Sequence, residues 1–103
     1  MATLELIETW ERTERYLMTA RGLLRADVES AYRDDLAEFA DFLSHNELGL
    51  AFDYLTSIVR EAQWDSIPIL DALALAAQNM KLAEVESELF TRIAALRGLE
   101  IGN

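Results

Sequence analysis

Ile67-Pro68-Ile69-Leu70-Asp71-Ala72-Leu73-Ala74-Leu75-Ala76-Ala77-Gln78-Asn79-Met80 is the stretch whose reading decides the fold. Ser66 before it reads as a helix cap, and Pro68 suits a first helical turn, where its missing N–H would find no intrahelical partner anyway. From there the segment is apolar on nearly every side. A helix of that kind must be covered by other elements, so residues 67–80 are expected to be the most buried part of the chain.

The flanking sequence supplies the cover. One proline and four glycines occur in 103 residues, and no run alternates with the period of a strand, so helix is expected almost throughout. A first helix over 3–22 carries Leu4, Ile7, Trp10, Leu17 and Met18 toward one side, with Glu5, Glu8, Glu11 and Glu14 on another and Gly22 at its end. Asp27 is placed to cap a second helix over 28–44, whose core face is Tyr32, Leu36, Phe39 and Leu43. His45-Asn46 breaks the pattern, and Glu47 opens a third helix to about Ala62 with the stripe Leu48, Ala51, Phe52, Leu55, Ile58, Val59 and Ala62. Gly49 inside that helix costs about 1 kcal/mol relative to alanine, which points to close approach of a neighbouring helix or a partner. Leu82, Val85, Leu89, Ile93 and Leu96 define a last helix that stops before Gly98. Short links between such helices imply antiparallel neighbours. The expected fold is all-α, a compact bundle of four to five helices in one domain, 1–103.

Composition narrows the function. Just over half the residues are apolar and there is no cysteine, so the chain should fold around its own core with neither disulfide nor thiolate metal site. The start of the chain lacks the basic, then apolar, pattern of a signal peptide, and no apolar run reaches the roughly 18 residues of a membrane span. Cytoplasmic residence is the expectation. With 19 Asp and Glu against 9 Lys and Arg, a net charge of −10 disfavours nucleic acid and anionic membrane as partners.

That charge is concentrated. Residues 25–65 hold ten acids and three bases, and so supply −7 of the −10. Between Arg33 and Arg60 there is no lysine or arginine, yet Asp34, Asp35, Glu38, Asp41, Glu47 and Asp53 surround the turn at His45-Asn46-Glu47. Solubility alone calls for charge spread over the surface, whereas concentration suits a face that meets a basic partner. Tyr54 leaves the apolar stripe of its helix and stands beside Asp53, an arrangement that suits an arginine-rich surface. Trp64, in the link after the third helix, is either an exposed anchor or a cover over the end of the bundle, and Trp10 reads as core.

No catalytic motif competes. There is no phosphate-cradling glycine loop, no serine flanked by glycines and only one histidine. Glu38, Asp41 and His45 at spacings of three and four could present two carboxylates and an imidazole to a metal, but a wet helix face ending in a histidine accounts for them as well. No metal, cofactor or enzymatic activity is expected. The glutamates of the first helix, interleaved with Arg12 and Arg15, read as its solvated side.

The segment His45-Asn46-Glu47-Leu48-Gly49-Leu50-Ala51-Phe52-Asp53-Tyr54-Leu55, followed by the apolar helix, resembles small bacterial immunity proteins of the MafI-like group over about residues 36–82. The resemblance implies a cytoplasmic protein that neutralises a cognate secreted toxin by binding it, without catalysis of its own. Charge and placement then nominate Glu38, Asp41, His45, Asn46, Glu47, Asp53 and Tyr54 as the contact surface for a toxin with a basic face. The alternative is a self-associating structural or adaptor bundle, in which a second copy of the chain completes the apolar helix 67–80 as a homodimer.

Overall fold

The computed structural model describes residues 3–63 and 66–101. Among them six helices follow one another with no strand: α1 (Leu4–Gly22), α2 (Ala26–Ala31), α3 (Arg33–Ser44), α4 (Leu48–Glu61), α5 (Ile67–Asn79) and α6 (Ala83–Ile101). The all-α reading holds. Thr3 Oγ1 accepts the Leu6 amide at 3.1 Å to start α1, and Ser66 Oγ accepts that of Ile69 at 3.4 Å to start α5, with Pro68 in the first turn. Each satisfies an amide that the helix itself leaves without a partner.

α5 is the axis of the molecule. Ile69, Leu70, Ala72, Leu73, Ala74, Ala76 and Ala77 are buried, and only a seam of Pro68, Leu75 and Gln78 is open, with Asp71 half-buried. α1 and α6 pack along it, α4 packs against α1 and more lightly against α5, and α3 packs on α4. The chain thus supplies cover for α5 itself. The molecule measures 53 × 29 × 18 Å, and at an interaxial spacing of about 8–10 Å its shortest dimension admits two helices. One cluster containing Leu17, Phe39, Phe52, Leu55, Leu73 and Leu89 forms the core.

Several expectations are corrected. The helix read over 28–44 is two helices that meet at Tyr32, whose φ of −113° and ψ of 30° leave the helical region. Val28, Tyr32 and Leu36 keep a spacing of four across the kink, so the apolar pattern carries no mark of it. The break puts Asp34 and Asp35 into the first turn of α3, where the helix dipole stabilises anions. Asp27 does not cap a helix start; it lies inside α2, which begins at Ala26, and its carboxylate receives the Arg25 guanidinium at 3.0 and 2.6 Å.

α6 runs through Gly98 to Ile101 rather than stopping before the glycine. A glycine weakens a helix but ends it only where the backbone turns to positive φ, and no described glycine does so. On α1 the buried positions are Thr13, Leu17 and Ala20, while Leu4, Ile7 and Met18 are exposed and Trp10 is half-buried. The first two turns of α1 project past the core, which is why Trp10 is not enclosed. Trp64 lies outside the described residues.

The buried hydroxyl of Thr13 was not anticipated. It donates to Thr9 O at 3.1 Å and accepts Asn79 Nδ2 at 2.7 Å, and the same amide nitrogen donates to Thr9 O at 2.7 Å. This clamp ties the last residue of α5 to the middle of α1. Replacing Asn79 with alanine should cost about 1–2 kcal/mol in urea unfolding; an unchanged midpoint would mean that the clamp contributes nothing to stability.

Candidate partner-binding surface

α3 turns Leu36, Phe39 and Leu43 inward. With 3.6 residues per turn, Asp34, Glu38, Asp41 and His45 then fall along the opposite side of the same cylinder. All four are exposed. Their charge is not absorbed within the chain: among the described residues no ion pair reaches Asp34, Asp35, Glu38, Glu47 or Asp53, and Asp41 meets only the ring of His45 at 3.6 Å. Arg33 lies on another flank of α3, beside a depression that it lines with Arg21 and Glu29. Arg12 and Arg15 on α1 form no ion pair with these acids.

The turn after α3 is held by backbone bonds at its end. Glu47 N donates to Phe42 O at 2.8 Å and Asn46 N to Leu43 O at 3.1 Å, with Asn46 at a φ of 58°. This is the paired closure in which one left-handed residue satisfies the last carbonyls of a helix, and asparagine tolerates that conformation better than most side chains. Ser44 Oγ and His45 Nδ1 both donate to Asp41 O, each at 2.8 Å. The imidazole is thereby pinned across the C-terminal turn, with Nε2 left as the atom available to a partner. Among the described residues no group of three or more His, Cys, Asp or Glu side chains converges as a metal site would require.

Phe42 and Tyr54 fasten α3 to α4, their ring centroids 5.3 Å apart and tilted by 43°, within the range of favourable aromatic pairs. Tyr54 is half-buried by this contact, so its ring serves the helix interface as well as the surface. Beside it a cleft of about 260 Å³ opens between the two helices, lined by Asp35, Asp53, Tyr54, Ser57, Ile58 and Glu61. The nominated residues therefore fall into two adjoining groups. Glu38, Asp41 and His45 lie on the outer stripe of α3 and lead to Asn46 and Glu47 at the turn, whereas Asp53 and Tyr54 belong to the cleft.

Asp35 and Glu61 join the cleft and were not nominated. The spacing of four that runs Asp53, Ser57, Glu61 was the available signal for one of them. A carboxylate that an arginine holds tightly lies elsewhere: the hydrogen bond and charge of Arg25 keep Asp27 below the usual carboxylate range. No family model, curated protein or solved structure matches the chain.

Gly49 answers its own question. It is exposed in the first turn of α4, and a Cβ built there meets nothing within 4 Å. No neighbouring helix requires the glycine. Gly49→Ala should therefore raise stability by about 0.4–1 kcal/mol, read as a higher denaturation midpoint; a lower one would reveal a backbone constraint at this turn.

Proposed function

We propose that this chain is a binding protein that docks the outer stripe of α3, the turn at Asn46-Glu47 and the adjoining α3–α4 cleft onto a cationic surface of another protein. The partner in this reading is a secreted bacterial toxin, which the chain neutralises by covering its basic substrate-binding surface. The observation that carries the reading is the row Asp34, Glu38, Asp41, exposed on one side of one helix with no arginine or lysine bound to it. Like charges held together in this way steer a basic partner and repel nucleic acid, lipid and acidic proteins. The resemblance to MafI-like immunity proteins supports the identity of the partner, and charge supports the place of contact.

Such a function requires no chemistry from the chain. Its only histidine is exposed, and both its Nδ1 and the neighbouring Ser44 hydroxyl, 3.4 Å apart, are turned onto the Asp41 carbonyl at 2.8 Å. Tyr54 and the apolar wall at Ile58 give the cleft the mixed character that accepts an arginine, whose flat guanidinium stacks on rings while its charge meets carboxylates.

The test begins with the neighbouring genes: the reading expects a large secreted protein encoded beside this chain, and binding to its toxic domain is then measured. Glu38→Lys with Asp41→Lys should weaken binding by about a hundredfold or more, chiefly through slower association, and should flatten its dependence on salt. Circular dichroism should be unchanged, since both positions are exposed. Binding that survives the double reversal would remove the α3 stripe as the contact.

A further inference from the structure

α6 has a second face. Val85, Leu89, Ile93 and Leu96 turn toward α5, but Ala83, Ser87, Phe90 and Ala94 recur on the opposite side, where an open trough runs along the helix between Ala83 and Ala94. Phe90 is half exposed there, at 50%. Among the described residues no other helix covers this stripe. It shares no residue with the proposed toxin-binding surface, which is built on α3, the turn after it and the α3–α4 cleft.

Charge selects an occupant for the stripe. Glu86 and Arg97 fall on the same edge of it by helical register, one near each end, and neither has an ion pair among the described residues. A two-fold axis between the two helices, perpendicular to them and level with Thr91 and Arg92, would set Glu86 of one chain opposite Arg97 of another, twice, and bring each Phe90 over Ala94 and Phe90 of the other copy. A parallel pairing would instead place glutamate level with glutamate and arginine level with arginine. We propose that this face of α6 is the interface of an antiparallel homodimer, with a second copy of the chain as its occupant.

The size of the face sets the strength. From Ala83 to Gly98 the stripe is about 22 Å long and about 10 Å wide, about 220 Å² on each chain, so the pair buries on the order of 400–500 Å². That is below the roughly 1,200 Å² at which stable interfaces begin, and the association is weak.

Sedimentation equilibrium of the full chain from about 10 µM to about 1 mM, a span of two decades in concentration, tests the proposal. Mass should rise toward twice that of the monomer. Phe90→Ser should raise the dissociation constant about tenfold or more. Glu86→Arg and Arg97→Glu should each weaken the dimer, their combination in one chain should restore it, and an equimolar mixture of the two single variants should form mixed dimers. A chain monomeric throughout the range overturns the proposal. So does a dimer indifferent to Phe90→Ser, or one that the paired charge exchange fails to restore.

Discussion

Burial of α5 is the constraint on which the other elements depend. Its apolar side chains cover all but the seam at Pro68, Leu75 and Gln78, and leaving a single leucine in water instead of burying it forfeits about 1.5–3 kcal/mol. No one helix can cover so wide an arc. α1 and α6 therefore take its two flanks, and α4 fills the space against α1. The Asn79 clamp onto Thr13 fixes where along α1 the axis sits, since it can form only with those two residues level.

α3 is peripheral as a result. It reaches the core through Leu36 and Phe39 and is held to α4 by Phe42 on Tyr54, so one side of it has no protein neighbour. The acids on that side are exposed, which spares the fold the desolvation of buried carboxylates and leaves their charge available outside. A helix held mainly by α4, ending in a fixed left-handed asparagine, displays those charges from a defined backbone.

The fold class and the identity of the central helix were legible in the sequence because composition alone decides whether a helix has a wet side. The break at Asn46 was legible because asparagine adopts positive φ at low cost. The kink at Tyr32 was not, since Val28, Tyr32 and Leu36 hold the same spacing with or without it. Nor was the Thr13–Asn79 clamp, which joins residues 66 apart in sequence, a separation at which helical periodicity says nothing. The acidic stripe was legible as a spacing on α3, but its lack of compensating bases required knowing where Arg12, Arg15 and Arg33 point. The cleft needed two helices in place, so Asp35 stayed hidden, while Glu61 was marked only by its spacing of four from Ser57 and eight from Asp53. The second face of α6 escaped because alanine and serine beside one phenylalanine do not read as an apolar stripe.

Native-state hydrogen exchange measured amide by amide tests this dependence most directly. If α5 is the axis, its central amides, from Ala72 to Ala77, should exchange only through global unfolding, while those of α2 and α3 open at lower free energy. Exchange of the α5 amides through local opening, or protection of α3 equal to theirs, would contradict the account.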